Sequence, residues 1–260
     1  MITFDNLNKD ETGGDMNLFR KSCLVVAGAG LIALACAWSS PGSTANPAAT
    51  KESSYIVYAR GMKVGELTTV CSFIPYNEKR ALKFESVTRV NANFLVYSYK
   101  LENKEEALVS DEGTVRYQRT TREKDDLCQV EGKLEQGKFL LDIRENCVRR
   151  TLAVNRDRYD YTTIECPEIT MKHEGDEMKL RLLDLETLMV VTRVYRWVKS
   201  EDVKVNGQQI HCRVVDFEDP NKKGRRWIRL DEVGATIVRQ DGTGKSGPYS
   251  LRMAQLKSGL

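Results

Sequence analysis

The chain has 260 residues, enough for one domain or two small ones, and at 41% hydrophobic it can build a real core. Forty basic residues nearly balance thirty-seven acidic ones, and a net charge of +3 gives no electrostatic case for nucleic acid. The balance gives no case for an acidic chain either, so function has to be sought in pattern rather than in bulk charge.

Residues 1–15 carry Asp5, Asp10, Glu11 and Asp15, an acidic lead foreign to export signals, and translation is expected to start at Met16. From there Arg20-Lys21 precedes an apolar run from Ser22 to Ala35, which reads as a signal peptide over residues 16–37. The run is short of the roughly 20 apolar residues that a membrane helix needs. Ala33-Leu34-Ala35-Cys36 resembles the bacterial lipoprotein signal, with Cys36 lipidated. Ordinary cleavage after Ala37 or Ala45 is the alternative. Either route places the chain outside the cytoplasm, in the periplasm or anchored to the bacterial cell envelope. Residues 38–54, rich in Ser, Pro, Ala and Thr, read as a flexible linker. The domain proper is expected over residues 55–260, without an internal repeat or break.

Within that domain the dominant period is two. Leu82, Phe84 and Val90 alternate with Lys83, Glu85 and Arg89, and Val115, Tyr117 and Arg119 with Thr114, Arg116 and Gln118. Phe139, Leu141 and Ile143 alternate with Lys138, Asp142 and Arg144. This is the mark of strands with one buried and one wet face. Turn signals punctuate them at Arg60-Gly61, Asp111-Glu112-Gly113, Gln136-Gly137, Asn206-Gly207 and Asp241-Gly242. Asn206-Gly207, between two apolar runs, is the strongest hairpin signal among them. Helix is scarce: Cys166 to Met171 suits a short turn with Pro167 at its first position, and Leu180–Leu188 and 190–198 read as strand. The expected fold is mainly β, a strongly curved antiparallel meander or incomplete barrel with one or two short helices.

Candidate chemistry is thin. Arg239 to Ser246 almost fits a phosphate-binding loop, but the first glycine is missing and a turn and strand follow where a helix is required. A hairpin loop is the better reading. His173 and His211 lack a ligand spacing, and no Gly-x-Ser-x-Gly elbow exists. The pairs Asp184 with Glu186 and Asp157 with Asp160 read as solvated, as does the basic cluster Lys222, Lys223, Arg225 and Arg226 at a hairpin tip. A sharper reading of that cluster is contact with anionic headgroups. Of seven cysteines, Cys23 lies in the signal. Cys71, Cys128, Cys147, Cys166 and Cys212 remain in the domain without a Cys-x-x-Cys pair. In an exported domain two disulfides are expected, Cys128–Cys147 first and Cys166–Cys212 second. Tyr195, Trp197, Trp227 and Tyr249 read as core, with Trp197 and Trp227 the candidates to line an apolar hollow.

Several segments resemble bacterial envelope proteins in the domain-of-unknown-function 3108 group and its near relatives. They are Tyr55 to Gly65, Arg158 to Thr162, Val203 to Gly207, Trp227 to Asp231, Ile237 to Gln240 and Gly247 to Leu251. The resemblance implies an exported β-rich fold with a curved sheet like that of lipoprotein and lipid carriers, and it supplies no catalytic residue. The expected function is therefore a non-catalytic envelope protein, without cofactor or metal, holding a lipid-like or other apolar ligand in a curved sheet. The alternative is a structural or assembly protein that contacts other envelope proteins through its surface and edge strands.

Overall fold

In a computed structural model, the structure describes residues 50–94, 97–231 and 234–259. The expected start at Met16, the signal peptide, Cys36 and most of the linker lie outside the described residues. Eight strands run in succession: β1 (Thr50–Ala59), β2 (Met62–Tyr76), β3 (Lys79–Phe94), β4 (Tyr97–Ser110), β5 (Gly113–Glu123), β6 (Asp126–Glu135), β7 (Lys138–Glu145) and β8 (Val148–Asn155). A crossing segment follows, with two 3-10 turns, Arg156–Arg158 and Pro167–Thr170, on either side of the two-residue β9 (Tyr161–Thr162). The chain then returns through β10 (Glu177–Asp184), β11 (Met189–Val205), β12 (Gln208–Glu218), β13 (Lys223–Asp231), β14 (Gly234–Gly244) and β15 (Gly247–Gly259).

All fifteen strands form one sheet in the order 8-7-6-5-4-3-2-1-15-14-13-12-11-10-9. Every neighbouring pair is antiparallel except β9 with β10, and the first strand pairs with the last. The sheet is thus two meanders joined along β1 and β15, curved and barrel-like but not closed, with β8 and β9 as its edges. The expected fold class is correct, and the expected helices are the two 3-10 turns. The strand begins earlier than expected, since β1 takes in residues 50–54 of the supposed linker.

Local chemistry explains the turns. Asn206 and Gly207 both hold positive φ (49° and 85°), the primed turn whose twist matches the flanking strands. Asn77 and Glu78 make the same kind of turn, at 47° and 63°, without a glycine to signal it. Two expectations fail here. Asp241-Gly242 lies inside β14, and the hairpin turns later, at Lys245-Ser246. Residues 185–188 turn between β10 and β11 rather than continue as strand.

In-strand glycines allow close packing on the β12–β15 side. Phe217, Gly224, Gly242 and Tyr249 are successive cross-strand neighbours. A Cβ on Gly224 would lie 2.5 Å from the Asp241 carbonyl oxygen and 2.8 Å from the Phe217 ring, and one on Gly242 would lie 2.6 Å from Tyr249. The two rings therefore lie flat over bare backbone, which no larger residue allows. Gly224→Ala is expected to destabilise the fold by about 1–3 kcal/mol through overpacking, read as a lower urea midpoint at unchanged slope.

Candidate functional site

The curled sheet has an inner face that something must fill, and the filling is charged. On β11, Arg193 is in phase with Tyr195 and Trp197, and on β13 Arg226 stands opposite Val215 and Gln240. Arg193, 2% exposed, donates through Nε (2.9 Å) and Nη2 (2.7 Å) to one oxygen of Asp219, which is fully buried. The other Asp219 oxygen accepts the backbone N–H groups of Asn221 and Lys222, at 2.8 and 3.0 Å, and so shapes the turn between β12 and β13.

Arg226 Nη1 donates to Glu168 Oε1 at 2.7 Å and Arg226 Nε to Gln240 Oε1 at 2.7 Å. Gln240 Nε2 in turn donates to the Tyr249 hydroxyl at 2.9 Å. Lys222 Nζ sits 3.1 Å from Glu186 and 3.4 Å from Asp184. Tyr117 donates its hydroxyl to Glu105 at 2.7 Å. Arg119 acts on both Glu105 and Glu186, and Arg193 on Asp184, so these groups form one electrostatic unit. Five acids face four cations. Burial pushes the Glu105 and Glu186 carboxyls up, which is the direction that relieves the surplus of acid. Burial also opposes ionisation of Asp184, but Lys222 and Arg193 outweigh it and hold that carboxyl low.

The unit clamps the crossing segment. Glu168 belongs to the second 3-10 turn, where Pro167 occupies the first position as expected. Arg213 Nη1 donates to the Met171 carbonyl of the segment at 2.9 Å, and Arg119 Nη1 donates at 2.8 Å to the Leu185 carbonyl in the turn between β10 and β11. From the β5 side, Thr114 N–H and hydroxyl both donate to Glu165, at 3.2 and 3.0 Å. Side chains of the strands thus satisfy main-chain carbonyls that an irregular buried segment would leave bare. Burial and Glu168 together push the Cys166 thiol well above its ordinary range, away from a nucleophilic thiolate.

Several sequence expectations change. Lys222 and Arg226 are buried in ion pairs, not solvated at a tip, because the turn begins at Asp219 and carries them inward. Lys223 and Arg225 remain toward the outside. Asp184 is fully buried, whereas Asp157 is exposed and Asp160 pairs with Arg181 near the surface. The segment 239–246 is strand and turn. His173 is exposed, and His211 is exposed beside Asp202 at 2.8 Å. No disulfide joins Cys71, Cys128, Cys147, Cys166 and Cys212. Cys128 stands opposite Glu145 in the ladder, whereas Cys147 lies in the turn between β7 and β8. Cys166 and Cys212 belong to different hydrophobic clusters.

Trp197 and Trp227 are both buried, but they do not share a hollow. Trp197 stands opposite Val215 and Trp227 opposite Val214, and adjacent residues of β12 point to opposite faces. Each indole is covered by a guanidinium 4.2 Å from its ring centre, Arg213 over Trp197 and Arg239 over Trp227. On the outer face, Glu177, Arg196, Asp216, Arg225, Asp241 and Ser250 stand in one row across six strands. They line an open concavity of about 840 Å³, with a second of about 760 Å³ over β4–β8. Among the described residues no group of His, Cys, Asp and Glu is placed to hold a metal ion, and no helix is long and apolar enough to cross a membrane.

No family model matches the chain, and no curated protein does. Among solved structures it is similar to a β-barrel-like protein of domain of unknown function 1849 from Brucella abortus, at a TM-score of 0.58 and 15% identity. The match covers 82% of this chain and 99% of that one. At this identity the likeness speaks for the fold alone, and that group is not the 3108 group suggested by the sequence.

Two outcomes test the charged interior. Arg226→Met should cost about 3–5 kcal/mol, because it strands the Glu168 carboxylate, and pairing it with Glu168→Leu should restore more than half of that loss. Urea titration of the single and double variants checks it. Asp184 is held below its unfolded pKa, so its contribution is present above the ordinary carboxylate range and lost as pH falls through its folded value. Glu186, raised, acts in the opposite sense and loses its contribution as pH rises through its folded value. Asp184→Asn should therefore be less stable than the parent at neutral pH and lose less on acidification, measured as urea midpoint against pH.

Proposed function

We propose that this chain is a non-catalytic protein of the bacterial cell envelope that works through surface contacts with other envelope components. The observation that carries this reading is the filled interior. An apolar ligand held inside the sheet would have to displace the Arg193–Asp219 and Arg226–Glu168 pairs and the segment that the second pair clamps. Stripping such pairs of each other in a dry interior costs several kcal/mol per ion, more than burying a short acyl segment returns. Separation of Trp197 from Trp227 removes the aromatic lining that the carrier reading relied on. The two concavities lie open and bear many charged side chains, a surface suited to another macromolecule rather than to a lipid tail. The export half of the proposal rests on the basic, apolar and small-residue order of residues 16–37.

Native mass spectrometry of the protein taken from its own envelope tests the proposal. It should appear in complexes heavier than the chain, without lipid bound non-covalently beyond any lipid covalently attached to Cys36. Added fatty acid or phospholipid should move neither tryptophan emission nor Tm. A co-purifying lipid, together with a Tm that climbs with its concentration, would return the carrier reading.

A further inference from the structure

The two edges of the sheet are finished differently. β9 is only two residues long, and Thr162 is occupied: its N–H donates to Glu165 at 3.0 Å and its hydroxyl meets that of Thr114 at 2.7 Å. β8 is eight residues long, and six consecutive residues, 148–153, are exposed. Arg156 N–H bonds to the Gly137 carbonyl, which fixes the ladder phase between β7 and β8. In that phase the backbone groups of Val148, Arg150, Leu152 and Val154 pair with β7. Those of Arg149, Thr151 and Ala153 point out of the sheet.

The side chains of this edge are as distinctive as its backbone. Leu152 stands opposite the buried Leu141 and Arg150 opposite the buried Ile143, so the apolar inner face runs out to the edge. Val148 and Leu152, on that face, are 49% and 38% exposed. Between them Arg150 has no carboxylate partner among the described residues, whereas its neighbour Arg149 is held by Asp142. An open backbone, two exposed aliphatic side chains and one unmatched cation, all in register, describe a template for an added strand.

We propose that β8 is a docking edge for an extended segment of a partner protein, antiparallel or parallel, with an acidic residue between two aliphatic ones at alternate positions. The acid would stand beside Arg150 and the aliphatics beside Val148 and Leu152, the second of these extending the aliphatic pair Leu141–Leu152 across the edge. A second copy of this chain fits less well, because symmetric pairing centred on Arg150 sets two guanidinium groups face to face. The inference deepens the surface-contact reading above and rests on it, naming where the contact is made and by what chemistry.

A synthetic peptide tests it, with Glu flanked at alternate positions by Val and Ile and spaced by Thr, added at millimolar concentration to the full chain. Amide NMR and hydrogen exchange should show protection of Arg149, Thr151 and Ala153. Replacing Glu by Lys in the peptide should weaken binding about tenfold, and Arg150→Glu should reverse that preference. Ala153→Pro removes only an outward N–H, so it should abolish binding while leaving the β7 ladder and Tm near the parent. Protection elsewhere or nowhere, no response to the charge swap, or a concentration-dependent dimer protected at β8 would each overturn the docking edge. Heavy native complexes that persist with Ala153→Pro would overturn it too, yet leave the surface-contact reading standing.

Discussion

A guanidinium that leaves water must find a carboxylate, and the interior of this protein is organised by that requirement. Arg193 and Arg226 stand on strands of the returning meander, and their acids come from elsewhere: Asp219 from a tight turn and Glu168 from the crossing segment. The pairs do not add much net stability over a well-packed apolar core, since desolvation consumes most of the Coulombic gain. What they fix is position. A crossing segment with Glu168 misplaced by one residue leaves two buried charges unmatched, so only one seating is tolerated.

Close packing and charge are linked in the same strands. Gly224 and Gly242 let Phe217 and Tyr249 lie against bare backbone, and Tyr249 closes the chain of hydrogen bonds that starts at Glu168. Arg193 and Arg226 also lie over the Phe217 ring, at 5.4 and 4.7 Å from its centre. The aromatic that needs a glycine beneath it is thus also the surface that carries two of the buried cations. Ring packing and ion placement are consequences of one local pattern, and the outer concavity over β10–β15 lies on the opposite side of it.

The strands were legible because burial on one face writes itself into alternate residues, as at Phe139, Leu141 and Ile143. Asn206-Gly207 and Cys166-Pro167 were legible because their backbone needs are local. The charged interior was not, because its partners are distant in sequence: Arg226 meets Glu168 and Lys222 meets Glu186. A cluster of basic residues beside a glycine looks solvated until its acids are known. One signal was present: Arg119 falls in phase with Val115 and Tyr117, and Arg193 with Tyr195 and Trp197. A charge on the apolar side of a strand pattern marks a buried ion pair when another such charge of opposite sign is available. Disulfide pairing failed for a related reason, since register places Cys128 opposite Glu145 and no spacing rule reveals that.

If buried ion pairs seat the crossing segment as part of the core, its amides should open only when the whole sheet unfolds. Native-state hydrogen exchange reads this directly at Asp160, Thr163 and Ile169, whose N–H groups bond within the segment or to β10. The account predicts opening free energies equal to those of Val57 and Tyr117 in the strands. Exchange of the segment at a markedly lower free energy, with the strands still protected, would contradict it and show a lid over an interior that the ion pairs do not fill.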